Sequence, residues 1–413
     1  MMHSESALHA TLEKHGSQWL DFLVRLVQTP SVVGDERACQ AMVRQAMTDL
    51  GIFERMVYPS NEPPFYRTGR SYEDRGCVVG RIRGNGSAPA FILNAHIDTA
   101  PVEDPTSWSH PPFAGVIEDG KLYGRGALDD KAGVAMLLLL AEVIRHSGLK
   151  LPGDIILQSV IEDEDSGNGT LACTQAGYFA GAGVVIDGTW PFRIIEAHLG
   201  QLWLNVEIRG VPAPACSMGR AKDPVAIAFG VLQAIKGLVA AKNSGLEWRG
   251  LREPDFCCVG AIHAGVWAGA VPESCRLALQ VGFAPPDTPE AMLEDIRAAV
   301  EASAPDFSSC VTIEVGSLCA HAFANGDNLM VHTLKQTIER LRPGEMEARP
   351  VTVTGHCDLR HLRKPDGSPT DACLYGPGGG ANPHCANEFY MLEHFVPVAQ
   401  NIMSAMLSYY NVL

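Results

Sequence analysis

The chain has 413 residues, more than one typical domain, so two domains are the default expectation. Low-complexity tracts and internal repeats are absent, which excludes the disordered and solenoid classes. The formal net charge of −15 argues against nucleic acid as a partner, because phosphate binding requires a basic surface. Part of this acidity is expected to consist of metal ligands.

The sequence does not indicate export or membrane insertion. Residues 1–14 are polar and mixed in charge, without the basic start and apolar core of a signal peptide. The longest apolar run, residues 134–141, is too short to span a bilayer and is typical of a core helix. The 12 cysteines are expected to be mostly reduced, and no CxxC pair predicts a structural zinc site. We therefore expect a cytoplasmic protein with no membrane partner.

Strand and helix patterns alternate through the first part of the chain. Helical spacing of apolar residues ends at Val27, before Pro30. This alternation predicts the α/β class, with a mostly parallel sheet and helices on both of its faces. The remaining patterns are strands at 77–82, 90–93, 155–160 and 184–186, and helices at 131–147 and 170–180.

The middle of the chain has a different pattern, in which strands and helices form two successive units. Such units predict an inserted α+β domain at residues 199–320, flanked by a discontinuous catalytic domain at 1–198 and 321–413. The predicted insert elements are strands at 202–209, 278–283 and 311–315, and helices at 224–239 and 289–303. The predicted later elements are a helix at 328–340 and strands at 350–354 and 373–375.

Polar clusters follow several of the predicted strands. They are His96 with Asp98, the acidic run at 162–165, and Asp187. The carboxyl ends of parallel strands are where α/β sheets bind ligands. If the chain stays extended after the strand, His96 and Asp98 point the same way, so that the carboxylate can hold the second imidazole N–H.

Two further groups complete a set of metal donors. Asp129 lies in GRGALDDKAG, a glycine-rich turn that opens a helix, and its carboxylate can offer one oxygen to each of two metal ions. An acid of the acidic run, together with Asp187 and His384, adds donors that zinc, manganese and cobalt accept. Another acid of the run would take a proton from water activated by the metal. The pattern predicts a hydrolase with two divalent metal ions, zinc being the first choice.

Five segments carry a family resemblance. They are NAHIDTAP, Trp108 followed by PF at 112–113, DGKLYGRGALDDKAG, IEDEDSGNGT and GPGGGANPHCANE. Their sequence resembles the motifs of the aminoacylase, acetylornithine deacetylase, succinyl-diaminopimelate desuccinylase and carboxypeptidase G family of dinuclear metallopeptidases. The segments follow one another in the family's order across nearly the whole chain, and the resemblance is much weaker in the insert.

The resemblance implies a role for each candidate residue. His96, Asp129 and Asp187 would hold one metal ion, and Asp129, His384 and an acid of the acidic run would hold the other. Asp98 would orient His96, and the peptide bond after Asp129 would be cis. The insert would act as a lid and form a homodimer.

The register of the acidic run is open. The family has two adjacent glutamates, a general base and then a ligand, followed by one residue and a glycine. Alignment on Gly167 makes Glu164 the base and Asp165 the ligand, which we favour. The alternative makes Asp163 the base and Glu164 the ligand.

The insert departs from the family pattern. Pro214 stands where a histidine from the partner subunit would stabilise the oxyanion, Gly269 stands where an asparagine is usual, and a lid arginine is missing around Gly282. Loss of one oxyanion donor costs on the order of a hundredfold in rate. Another lid group, such as His263 or Asn205, could replace it.

Arg360 matches a family arginine that clamps a substrate carboxylate, and a planar guanidinium suits that task. His356 is a second candidate substrate contact. We therefore expect a small substrate that bears a carboxylate.

Three functions follow from these observations. The first is hydrolysis of an amide C–N bond in an N-acyl amino acid or a related compound. The second is deamination of a carboxylated aromatic amine such as a nitroanthranilate, a reaction that the family resemblance implies is accessible to this scaffold and that the missing oxyanion donors favour. The third, a non-catalytic binding protein, is disfavoured because every expected ligand position carries a competent donor.

Overall fold

The computed structural model describes residues 4–188, 190–303, 309–326, 328–345 and 351–412. Predicted positions at 189, 304–308, 327 and 346–350 lie outside the described residues, among them the first residue of the strand predicted at 350–354. The helices are α1 Glu5–Val27, α2 Arg37–Asp49, α3 Lys131–Ser147, α4 Asn168–Gln175, α5 Pro224–Asn243, α6 Pro289–Ser303, α7 Leu329–Leu341 and α8 Phe395–Tyr409.

The strands belong to four sheets. In chain order they are β1 Phe53–Val57, β2 Cys77–Ile82, β3 Phe91–His96, β4 Val116–Glu118, β5 Lys121–Tyr123, β6 Ile155–Val160, β7 Ala182–Val185, β8 Ile195–His198, β9 Gly200–Arg209, β10 Glu247–Trp248, β11 Leu251–Arg252, β12 Phe256–Ala264, β13 Ser274–Phe283, β14 Val311–Ala320, β15 Phe323–Ala324, β16 Val351–Val353, β17 Asp371–Leu374, β18 Gly380–Ala381 and β19 Phe389–Met391.

The largest sheet has the order β1-β2-β6-β3-β7-β17-β8-β15, with β16 paired to β8. Strands β6, β3, β7 and β17 at its centre are parallel to one another, and antiparallel strands lie toward its edges. Helices α1, α3 and α8 pack together, while α2 and α4 pack near β1, β2 and β6. The predicted α/β class with a mostly parallel sheet is confirmed.

The parallel strands are mostly apolar because they are covered on both faces. All six residues of β3 and of β6 are buried. Helix α3 is likewise buried over most of its length, and its first turn is capped by the Asp130 carboxylate, which accepts from the Gly133 N–H at 3.1 Å. The helix predicted at 170–180 is shorter and earlier, since it ends at Gln175 and Gly177 adopts a φ of 88°.

A second, separate core lies between residues 202 and 319. It is formed by a four-stranded antiparallel sheet of order β12-β13-β9-β14 and by α5 and α6. Burial along β9 alternates, so one face of this sheet meets the helices and the other does not. By length and composition alone α5 could cross a membrane. In the structure it packs against β9, β12 and β13 through Val231, Ile235 and neighbouring residues.

The buried helix α3 provides a test of this packing. Leu138→Ala removes a fully buried side chain and should lower the free energy of unfolding by about 2–5 kcal/mol. Leu329→Ala is the matched control, at a side chain that is 54% exposed. It should change the free energy of unfolding by less than about 0.5 kcal/mol. Denaturant unfolding followed by circular dichroism measures both variants, and equal effects would contradict the assignment of α3 to the core.

Candidate metal centre

The candidate site lies at the carboxyl ends of the four central parallel strands. β3 ends at His96, β6 is followed by the acidic run, β7 is followed by Asp187, and β17 leads into the loop that carries His384. Because these strands are adjacent and parallel, their ends meet at one edge of the sheet. This edge borders a cavity of about 550 Å³.

Asp129 is the central donor of the site. Its Oδ1 lies 3.0 Å from His96 Nε2, and its Oδ2 lies 3.2 Å from His384 Nε2. His384 Nε2 is also 2.7 Å from Glu164 Oε2. The Asp129–Asp130 peptide bond is cis, in agreement with the prediction. One carboxylate therefore connects two groups of donors.

Potential ligand atoms form two groups, each with its members within 4.8 Å of one another. One group is His96, Asp130 and Asp187, and the other is Asp129, Glu164 and His384. The Asp130 oxygens already accept N–H groups from Gly133 and His96, at 3.1 and 3.2 Å, so we regard Asp130 as a structural cap. Asp129 Oδ1 lies 3.0 Å from His96 Nε2, and no backbone N–H of the described residues donates to the Asp129 oxygens.

Negative charge at the site is poorly compensated by protein cations. Burial raises the pKa of Asp163 well above its usual range and raises the pKa of Asp187 to about 7. Contacts with Asp129 and Glu164 raise the pKa of His384 to about 11. Several buried carboxylates around two imidazoles fit divalent cations, which would neutralise them, and donors of nitrogen and oxygen without thiolate suit zinc, manganese or cobalt.

Asp98 supports the site through its contacts with His96 and with the acidic run. His96 Nδ1 lies 3.0 Å from the Asp98 backbone oxygen and 3.6 Å from its carboxylate. The same carboxylate accepts the N–H groups of Asp163 and Glu164 at 3.3 and 3.1 Å. Asp98 thus fixes both the ring of His96 and the backbone of the acidic run.

The structure does not bring Asp165 into the site. Its carboxylate contacts the guanidinium of Arg70 and the hydroxyl of Ser317, and it belongs to neither donor group. Glu164 belongs to one of the two donor groups instead, beside His384. This arrangement corresponds to the alternative register, with Asp163 next to the donors rather than Asp165.

The two predicted substrate contacts lie in different surroundings. His356 lines the cavity, and its Nε2 is 3.0 Å from the Asp163 backbone oxygen. Arg360 is only 6% exposed and does not line the cavity. Its guanidinium donates to the backbone oxygens of Cys357 and Ser166 at 2.7 and 2.9 Å, which ties the acidic run to the segment after β16.

Glu388 is a supporting residue that the sequence did not single out. Its carboxylate accepts the N–H groups of Gly126, Leu128 and Asp129 at 3.0, 3.0 and 3.2 Å, and it pairs with Arg125 at 2.7 Å. These bonds hold the turn that presents Asp129. The sequence could have indicated Glu388, because this residue ends the segment GPGGGANPHCANE that carries the family resemblance.

Three cavity residues from the insert, Trp203, Phe256 and Gln280, were also not predicted. Their positions depend on the pairing of three strands that are distant in sequence. Pro214 lies at the start of the turn at 215–220 and pairs with Ala270.

The placement of the acidic run yields a test with a matched pair of variants. Glu164→Gln should lose at least one of two bound metal ions, because it replaces a donor beside His384. Asp165→Asn should retain both ions, although it weakens the contact with Arg70. Elemental analysis after dialysis against metal-free buffer measures the number of metal ions bound per chain. Metal loss in Asp165→Asn and not in Glu164→Gln would support the register that the sequence favoured.

The comparisons with known proteins identify the family. The family model described as peptidase family M20/M25/M40 matches residues 92–408. An N-formyl-4-amino-5-aminomethyl-2-methylpyrimidine deformylase of Bacillus subtilis is 28% identical, over 98% of this chain and 97% of its own. A succinyl-diaminopimelate desuccinylase of Cereibacter sphaeroides is 27% identical, over 62% of this chain and 66% of its own.

A solved structure of a dinuclear metal-binding peptidase of Bacillus subtilis has the same fold, with a TM-score of 0.65 at 14% identity and coverage of 97% of this chain and 100% of that one. The hypothesis of a non-catalytic binding protein is set aside, since the relatives support an enzyme acting on amide C–N bonds. The chain belongs to peptidase family M20/M25/M40 and is a metallohydrolase.

Proposed function

We propose that the protein hydrolyses the amide C–N bond of a small N-acylated amine at a centre of two divalent cations. The observation that carries this proposal is the position of Asp129, whose two carboxylate oxygens each lie against a different histidine. A carboxylate in this position is suited to bridge two cations. The names of the deformylase and the desuccinylase support an amide as the bond that is cleaved.

Five residues would hold the cations. The proposed ligands are His96, Asp129, Glu164, Asp187 and His384, with zinc as the first choice and manganese or cobalt as the alternatives. When bound, two such ions lower the pKa of water toward neutrality and polarise the carbonyl of the substrate. Glu164 takes the place that the sequence analysis gave to Asp165.

Asp163 is the proposed general base, a role that the sequence analysis gave to Glu164. Its Oδ2 lies 4.0 Å from His96 Nε2, and it lines the cavity without belonging to either donor group. The Asp98 carboxylate and the His356 ring fix its backbone on both sides. Asp163 would take a proton from the attacking water and then deliver it to the nitrogen of the leaving amine.

The role of Asp163 can be separated from metal binding. Asp163→Asn should lower kcat by about a hundredfold to ten thousandfold, because the base is lost, while the metal content stays at two ions. Steady-state kinetics and elemental analysis on the same preparation provide both values. Loss of metal in Asp163→Asn would show that this residue is a ligand instead.

Product analysis decides between the candidate reactions. Metal-loaded protein is offered N-formyl, N-acetyl and N-succinyl amines, dipeptides and carboxylated aromatic amines in separate pools. Release of a carboxylic acid together with an amine supports the proposal, and release of ammonia from the aromatic pool alone establishes deamination. The replacement of the family histidine by Pro214 is the observation that keeps deamination as the second candidate.

We also propose a homodimer formed through the insert. Phe229 on the outer side of α5 is 63% exposed, Ile262 on the edge strand β12 is 52% exposed, and Trp267 beyond it is 75% exposed. Large apolar side chains exposed on one domain are typical of an interaction surface. The cytoplasmic location is retained as a proposal from the sequence.

Phe229→Asp tests the proposed dimer. Sedimentation of the unmodified protein should give twice the chain mass of 44.4 kDa, and Phe229→Asp should shift the protein toward the monomer. Ile117→Asp, at a side chain that is 53% exposed on β4 outside the insert, is the matched control and should leave the mass unchanged. A monomer in the unmodified protein would overturn the proposal.

A further inference from the structure

The side of the cavity that faces the metal ligands is built by the insert sheet. Trp203 on β9 pairs with Gln280 on β13, and Phe256 on β12 pairs with Gly282, two residues further along β13. Because residues two apart on a strand point to the same face, these side chains share one face of the sheet. The opposite face contains the core of the insert.

Phe256 covers a gap that Gly282 leaves in this face. A Cβ atom at position 282 would lie 2.2 Å from Phe256 Cε1, so any side chain there would displace the ring. The phenyl ring therefore lies across the strand as part of the wall. Together with Trp203, it gives this side of the cavity a flat aromatic character.

Two polar side chains on this side present hydrogen-bond acceptors, beside the indole N–H of Trp203, which has no partner among the described residues. Gln280 Nε2 donates to Gln201 Oε1 at 2.9 Å, and Gln201 Nε2 donates to the backbone oxygen of Thr354 at 2.7 Å, so Gln280 Oε1 is left to accept. Burial lowers the pKa of His356 to about 3, so the ring is neutral. Its Nε2 donates to the Asp163 backbone oxygen, and Nδ1 is left as an acceptor.

This side of the cavity offers no cation. Among the described residues that line the cavity there is no lysine or arginine, and the charged residue outside the proposed catalytic groups is Glu103. Arg360 is held by two backbone oxygens away from the cavity. A substrate carboxylate placed here would lose its hydration without gaining a charged partner, which is strongly unfavourable.

We infer that the amine half of the substrate is a flat, uncharged aromatic or heteroaromatic ring that carries N–H donors and no carboxylate. The ring packs against Trp203 and Phe256, and its N–H groups donate to Gln280 Oε1 and His356 Nδ1. This inference rests on the proposed amide hydrolysis and names its substrate class. It replaces the carboxylate-bearing substrate that the sequence predicted.

Two ligands that differ by one carboxylate test the inference. N-formylbenzylamine and N-formylphenylglycine are titrated into metal-loaded Asp163→Asn protein, in which turnover is suppressed, and calorimetry gives each Kd. The Kd of N-formylbenzylamine should be at least about tenfold lower. Equal or tighter binding of N-formylphenylglycine would overturn the inference.

Side-chain variants locate the binding site of the ring. In the same background, Trp203→Leu and Phe256→Leu should each weaken N-formylbenzylamine about tenfold. The matched controls are Trp190→Leu and Phe179→Leu, at rings that are 47% and 36% exposed outside the cavity, and they should leave the Kd as it is. Equal Kd values in the cavity variants and the controls would exclude these two rings as the binding surface.

The predicted N–H donors are tested by adding an amino group to the ring. N-formyl-4-aminobenzylamine should bind more tightly than N-formylbenzylamine, and Gln280→Leu should remove most of the difference. No gain from the amino group would overturn this part of the inference. Since these measurements do not require turnover, failure of the protein to hydrolyse any amide would contradict the proposed function and leave the binding comparison decisive.

Discussion

Carboxylates are concentrated at one edge of the parallel sheet, and the structure around them serves to hold them there. Buried acids with few compensating cations oppose folding, because each must lose its hydration or take up a proton. The chain compensates with backbone N–H groups, as at Asp98 and Asp130, and with the two imidazoles of His96 and His384. The remaining negative charge is concentrated on the side chains that we assign as ligands. Divalent cations are therefore expected to stabilise the folded chain as well as to supply its chemistry.

The sequence was sufficient to predict those strands and helices whose limits are set by residues close to them in the chain. The strands at 77–82 and 155–160 and the helices at 131–147 and 289–303 have the predicted limits, because the spacing of their apolar residues defines them. Strand order led us to expect His96, the acidic run and Asp187 at one edge of the sheet, whereas it did not by itself place Asp129 and His384 there. Identification of the parallel strands therefore indicated three of the segments that we propose for the metal centre.

Which acids of the run at 162–165 face the cavity could not be predicted from local sequence patterns. Four consecutive acids follow β6, and the conformation of one turn decides which of them face the cavity. Glu162 adopts a φ of 66° and is bonded to Tyr72 and Arg75, so it points into the protein. Asp165 is drawn to Arg70, which lies 95 residues away in the sequence. A partner so distant leaves no local pattern, so the sequence did not indicate the contact of Asp165 with Arg70. The register that we propose therefore differs by one residue from the register favoured by an alignment on Gly167.

The insert sheet explains how reaction and selectivity can be separated in this architecture. The proposed ligands all come from the catalytic domain, whereas Trp203, Phe256 and Gln280 come from the face of the insert sheet that its own helices do not cover. Strand alternation makes the two faces independent, since Leu204 is buried in the core of the insert while Trp203 beside it lines the cavity. Substitutions on the open face can therefore change the substrate without disturbing the metal centre or the core.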